Sequence, residues 1–335
     1  MSPSPPSQSS AEAATQTRKS SLPPSTTQAT AQAMAPADWL MLGLLSMLWG
    51  GSFLFIAVAV AEVPPVTLVM VRTAIGALIL LAVARAGGHR LPRDGASWAG
   101  FFLLGFFANL LPFSLIAFGQ TVVPAGLASI LNATTPLFTV LVLFAVRGER
   151  IGWLKGVGLG LGVAGVALLL APKLGTGQEA RLIGALAILG GSLSYGIGGM
   201  VATRFRQLPP AVTSSASLGA AAMMAAPVSL WFDRPWILDP SLPAIGAVLA
   251  LGIVSTGLAY LLFYRILNRA GPTNATTVTF LVPVSAILLG ALVLGERLDW
   301  TAFAGMAVIF TGLAALDGRP VRYLLGKKAG MAGRD

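Results

Sequence analysis

The sequence predicts an all-α integral membrane protein: ten transmembrane helices arranged as two inverted five-helix repeats. Three observations carry that expectation. Apolar runs recur along the chain, Lys and Arg fall almost entirely in alternate joints between them, and a block from the middle of the chain returns near its end.

Composition sets the frame. Hydrophobic residues make up 55% of the 335, and charged ones only 10%. Soluble domains carry about 25% charged residues, so a water-facing surface around this much apolar mass cannot be built, and an ordinary soluble enzyme is excluded. A net charge of +10 raises nucleic acid as a partner. The basic residues sit in short breaks between apolar runs rather than along one stripe, so membrane topology is the better explanation. The chain has no cysteine, which removes disulfides, thiolate metal sites and a Cys nucleophile.

Residues 1–36 are rich in Pro, Ser, Thr, Gln and Ala and hold little that could pack, so they read as a disordered cytoplasmic tail. From Trp39 onward the spans fall near 39–60, 66–86, 98–119, 125–146, 152–171, 182–203, 211–232, 242–266, 273–294 and 300–318. Each approaches the roughly 20 residues that cross ~30 Å of hydrocarbon. The organisation expected is a first repeat over 37–172, a second over 173–318 and a basic cytoplasmic tail over 319–335. With a cytoplasmic N-terminus, 17 basic residues lie inside and 4 outside, Arg72 alone being within a span. That bias places both termini in the cytoplasm of a multi-pass protein of the inner membrane.

The repeat shows when residues 136–167 are slid onto 283–314, which superposes ten identities in 32 positions. Pro136 falls on Pro283, Gly148-Glu149-Arg150 on Gly295-Glu296-Arg297, and Trp153 on Trp300. Pro64-Pro65 aligns with Pro209-Pro210, and Trp49-Gly50 with Tyr195-Gly196. Five spans per half is odd, so the second half enters the membrane upside down, the arrangement of alternating-access carriers with a midplane substrate site.

Leu48-Trp49-Gly50-Gly51-Ser52-Phe53, Arg72, Ala128-Ser129-Ile130-Leu131 running into Pro136-Leu137-Phe138, and Gly295-Glu296-Arg297 with Gly305 through Gly312 carry a family resemblance. Over about residues 36–320 the chain resembles the drug/metabolite transporter superfamily, in particular proteins with two EamA-type domains. That resemblance implies transport, as efflux or uptake, of small metabolites such as amino acids, their derivatives or drugs.

Candidate substrate-binding residues follow from polarity at depth. Arg72 is the one ionisable residue well inside a span, and a lone charge in a bilayer costs about 2.5 kcal/mol or more, so such groups face a cavity or pathway. The alternative is a strut that snorkels or bonds helix-end carbonyls. Ser129, Asn132 and Pro136 share a face of span four, and the repeat places Thr276, Thr279 and Pro283 on the equivalent face of span nine. These polar groups could instead be interhelical glue. Asn-Ala-Thr-Thr occurs at 132–135 and again at 274–277, five residues out of the repeat register. Trp49, Asn109, Tyr195, Tyr260 and Tyr264 complete the candidate lining, with spans one, three, four, six, eight and nine around the cavity. Pro136 and Pro283 are the expected kinks, and Glu149 and Glu296 the expected paired caps and gate elements.

Gly160 to Gly165 satisfies G-x-G-x-x-G, but no strand precedes it and it lies within an apolar span, so close helix packing explains it better than a nucleotide. Neither a cofactor nor a metal nor a catalytic constellation is indicated. The expected partners are the lipid bilayer and a small-molecule substrate, not nucleic acid, and there is no signal of oligomeric state. The reading is a probable exporter; the competing class is a non-transporting regulatory or scaffold protein with a relict carrier fold.

Overall fold

Hydrocarbon offers no partner to a backbone N–H or C=O, so each apolar run must satisfy its own backbone, and it does so as helix. A computed structural model describes residues 34–148, 151–171 and 178–318, and within them every regular element is helical. The disordered and basic tails expected at the two ends, and Glu149, lie outside the described residues, apart from a short stretch before Pro36.

The helices are α1 (Pro36–Ala59), α2 (Pro65–Ala86), α3 (Gly95–Gly119), α4 (Ala125–Arg147), α5 (Trp153–Leu170), α6 (Glu179–Phe205), α7 (Pro210–Asp233), α8 (Leu242–Gly271), α9 (Val278–Leu294) and α10 (Trp300–Asp317). Nine of these are long and apolar enough to cross a membrane, and α9, with 17 residues, is the shorter one. Its shortness has a local cause. Gly271 adopts φ 79° and breaks the chain away from α8, and after one helical stretch the backbone turns again at Thr276–Thr277 before α9 begins.

Starts are set by proline and by caps. Pro65 and Pro210 occupy the first turns of α2 and α7, where a missing N–H costs nothing. Asp94 caps α3 by accepting from the Ser97 amide at 2.8 Å, and Ser241 caps α8 from the Ala244 amide at 3.4 Å. The end of α4 is a left-handed Gly148 at φ 64°, and α9 ends on Gly295 at φ 66°.

Packing repeats along with the sequence. A Cβ on Gly158 would stand 2.7 Å from the Gly312 carbonyl, and one on Gly165 would stand 2.9 Å from the Gly305 carbonyl. Rising numbers on α5 meet falling numbers on α10, so these two helices run antiparallel with their backbones in near contact, as small residues permit. The two glycine pairs exchange roles under the sequence repeat: Gly158 corresponds to Gly305 and Gly165 to Gly312. Within the G-x-G-x-x-G segment Gly162 and Gly165 serve helix packing, against Leu137 and α10, whereas Gly160 has open space beside it. The pair lies at the rim, with 22% of the α5 window and 33% of the α10 window buried, against 50% for α1 and α6.

The other close contacts follow the same rule. Gly50 of α1 lies against Ser285 and Ala286 of α9, while the aligned Gly196 of α6 lies against Phe138 and Thr139 of α4, the residues that correspond to 285 and 286. Elsewhere the core is aliphatic and aromatic, with Phe101 stacked on Phe205 at 4.5 Å in the space that Gly100 leaves open.

Candidate functional site

α3 and α8 each carry a turn of wider π-helix, over Phe106–Leu110 and Ile253–Leu258, directly after Gly105 and Gly252. The missing Cβ at each glycine admits a neighbour: Ser217 and its carbonyl on α7 approach Gly105, and Ile75 on α2 approaches Gly252. A π-turn inserts one residue into the helical ladder and re-aims the side chains beyond it, and such turns gather at functional sites. Here they position a polar side chain each. Thr256 accepts a hydrogen bond from Arg72 Nε at 3.0 Å while donating to the Leu251 carbonyl at 2.8 Å. Asn109 Nδ2 donates to Ser217 Oγ at 3.3 Å. Under the repeat Asn109 corresponds to Thr256 and Arg72 to Ser217, so one polar pair has been built twice with different chemistry.

Arg72 is 6% exposed. Its guanidinium carbon lies 3.9 Å from the ring centre of Phe113, a cation–π contact worth about 0.5–2 kcal/mol. No carboxylate is within ion-pair distance of it among the described residues, where the ion pair present joins Arg269 to Asp38 at 2.9 Å.

The guanidinium faces a cavity of about 320 Å³ lined from α1, α2, α3, α4, α6, α8 and α9. Of the candidate binding residues, Trp49, Arg72, Ser129, Asn132, Tyr195, Tyr260 and Thr279 lie on its wall, with Pro283 and Phe113. Trp49 leans on Phe263 with ring centres 5.4 Å apart, and Phe113 meets Tyr195 edge-on at 6.2 Å. Tyr264 stands behind Tyr260 and bonds the Ser214 hydroxyl. Asn132 contributes a buried Oδ1 that has no partner.

Three candidates are placed off the wall: Tyr264, behind Tyr260, and Asn109 and Thr276. Asn109 is 1% exposed behind the wall, held by the α3 π-turn against α7 instead of facing the cavity. Thr276 is exposed, because the turn at 276–277 carries it off the face that the repeat register assigns to it. Its aligned residue Ser129 sits four residues before the corresponding break in α4, at Ala133–Thr134, and stays inside. Both breaks fall within the Asn-Ala-Thr-Thr segments. Pro136 lies in the first turn after the break of α4, and the freed Asn132 carbonyl is taken by the Thr135 hydroxyl at 2.8 Å. Pro283 lies inside α9 and has no N–H to give the Thr279 carbonyl on the cavity wall. Discontinuous helices with irregular backbone at a cavity are a recurring feature of transporter binding sites.

Sequence reasoning missed Phe113 and Thr256, the two groups that hold Arg72. Aligning the halves through span three would have paired Asn109 with Thr256, but only the π-turns show why.

At one end of the bundle, carboxylates grip helix N-termini. Glu296 accepts from the Ala125 and Gly126 amides at 2.7 and 3.0 Å, Asp233 from the Thr67 amide at 3.1 Å, and Glu62 from the Ser241 amide at 2.6 Å. Anionic groups are favourable there because the first amides of a helix are unpaired and its dipole is positive. Glu62 is held below the ordinary carboxylate range, chiefly by the Ser241 amide.

The profile of the EamA-like transporter family matches residues 38–171 and again 182–316. The chain belongs to that family. The chain is 26% identical to "Uncharacterized transporter YvbV" of Bacillus subtilis (strain 168), over 83% of this chain and 90% of that one. It is 28% identical to "Uncharacterized inner membrane transporter YedA" of Escherichia coli (strain K12), over 79% and 85%. It is also 28% identical to the "Probable amino-acid metabolite efflux pump" of the same strain, over 84% and 94%. A crystal structure at 22% identity superposes with a TM-score of 0.59 over 84% of this transporter and 96% of that chain, which shows a common fold. The protein is therefore a multi-pass membrane transporter of the drug/metabolite type.

Proposed function

We propose that this transporter exports a small metabolite, such as an amino acid, an amino-acid derivative or a drug, by alternating access around the cavity beside Arg72. The observation that carries the reading is a buried guanidinium without a counter-ion, facing a cavity to which broken helices from both halves contribute. An unpaired charge at depth is costly to maintain, and a substrate carboxylate or similar anionic group would compensate it. The relative named as an amino-acid metabolite efflux pump supports export of this substrate class.

In this reading all ten helices cross the inner membrane as two inverted five-helix halves with both termini cytoplasmic. The antiparallel α5–α10 pair and the duplicated contacts of Gly50 and Gly196 support the inversion. The carboxylate grips of Glu62, Asp233 and Glu296 then lie on the outer face, and each joins one half to the other.

Two measurements test this. At equal membrane abundance Arg72→Ala reduces metabolite flux at least tenfold; undiminished flux removes Arg72 from the site, and no flux from the wild-type protein across a broad metabolite panel favours the scaffold alternative. Because the chain has no cysteine, Ala61→Cys and Gln207→Cys, in the joints before α2 and α7, report topology directly. A membrane-impermeant maleimide labels the first from outside and the second only after permeabilisation; labelling of both from one side excludes the inversion.

A further inference from the structure

Resting on the carrier reading, we infer that the transported species is a small organic monoanion with an apolar, ring-sized body and no cationic group, and that the membrane potential alone drives it outward.

The charge selectivity comes from the wall. Arg72 is the one charged residue among those that line the cavity, and its guanidinium stays charged throughout the physiological range. The remainder is aromatic, aliphatic or neutral polar, with Trp49, Phe53, Phe113, Tyr195 and Tyr260 supplying flat apolar surface. A carboxylate entering this space gains an ion pair where the protein has none. An ammonium entering it meets the same positive charge and no carboxylate, so cations are repelled and zwitterions bring a desolvated, unpaired charge with them. At about 320 Å³ the cavity stands at the small end of the ~300–1,000 Å³ range of ligand pockets, which favours a small body such as a single ring with short substituents.

The driving force is decided by groups the spans lack. Every Asp and Glu of the sequence lies at a span end, in a joint or in a tail, and the single histidine, His89, lies in a joint. A proton-coupled carrier commonly needs an intramembrane Asp, Glu or His. A monoanion needs none, because a cell interior that is electrically negative expels it. The charge balance is simple. The site carries +1 when empty and 0 when loaded, so the loaded carrier crosses neutral and the empty one returns with its positive charge, drawn inward by the same potential. One negative charge leaves per cycle, which sustains a concentration ratio of about fifty-fold per 100 mV.

The test uses the full chain in phospholipid vesicles and three probes of one body: N-acetylphenylalanine (−1), phenylalanine (zwitterion) and phenylalanine amide (+1), with protein-free vesicles as the background. A potassium gradient with valinomycin sets the potential, and a pH gradient is imposed separately. The expected result is saturable flux of N-acetylphenylalanine toward the positive side, at least tenfold above either other probe, rising with potential and indifferent to the pH gradient. Preference for phenylalanine or its amide, or flux that follows the pH gradient and ignores the potential, overturns the inference while leaving the carrier reading standing. No flux of any probe, from protein that elutes as a single folded species, overturns the inference, and the carrier reading falls with it only if the broad metabolite panel is silent as well.

Discussion

The pair Arg72–Thr256 and the pair Asn109–Ser217 each join one half to the other at places that correspond under the repeat, yet one faces the cavity with a charge and the other is closed off behind the wall. The backbone device is the same in both: a glycine that admits a neighbouring helix, then a π-turn that presents a side chain to it. What differs is the side chain. Duplication has kept the architecture and let the chemistry diverge, so the scaffold is two-fold while the site is one-sided. The repeat gives each half an equivalent helix pair, and a single guanidinium gives the cavity one sign.

The comparison is broken most severely by making the two halves alike. Ser217→Arg places a second guanidinium at a position 4% exposed, beside the Gly105 backbone and with no cavity to face. An unpaired buried charge costs about 3–5 kcal/mol, so this variant loses most of its monodisperse folded protein on gel filtration.

Thr256→Val comes next. It leaves Arg72 Nε without its acceptor at a cost of about 1–3 kcal/mol, read as a higher KM for the transported substrate, about tenfold, with kcat little changed. Thr256→Ser, which keeps the hydroxyl, restores it; equal loss in both variants would assign the residue to packing alone.

Asn109→Ala is milder. The bond it removes is long at 3.3 Å, and Asn109 Oδ1 already lacks a partner, so deletion removes one unsatisfied group with the satisfied one. Stability changes by less than about 1 kcal/mol in a melting experiment and KM is unaffected. A KM shift as large as that of Thr256→Val would put Asn109 at the substrate after all.

The smallest effect separates the two caps at the starts of α3 and α8. Asp94 caps α3 with its own carboxylate, whereas the corresponding Ser241 is seconded by Glu62. Backbone amides hold both carboxyls below their ordinary values. A depressed value means that the stabilisation is complete above the unfolded pKa and is lost as pH falls through the folded one. The melting temperature should therefore be flat down to the ordinary glutamate value of 4.5 and fall only in stronger acid. Glu62→Gln removes part of that acid sensitivity by lowering the melting temperature slightly at neutral pH, the difference from the unsubstituted protein vanishing in strong acid; a slope between pH 6 and 8 would contradict it.

Much of this was legible in the sequence. The segments, the duplicated Pro136 and Pro283 blocks and the depth of Arg72 follow from hydropathy and self-similarity, because the bilayer makes length and polarity nearly sufficient to place a helix. Seven of the ten candidate lining residues reach the cavity wall for the same reason: polar groups at depth need somewhere to face. Two of the three failures have one origin: helical periodicity projects a residue correctly only while the helix is regular, and Asn109 and Thr276 are the candidates at a π-turn and a break, whereas Tyr264 stands one turn behind Tyr260.

By itself, then, the sequence determined the number of apolar segments, their pairing into two repeats and the one charge well inside a segment, Arg72, since each is a statement about transfer from water to lipid. The tertiary structure decided which polar groups share a cavity, that Phe113 and Thr256 hold Arg72, and that glycines bring α5 onto α10 backbone to backbone. Those outcomes depend on contacts a few ångströms long between residues far apart in the chain, and on local departures from the ideal helix that no periodic pattern encodes.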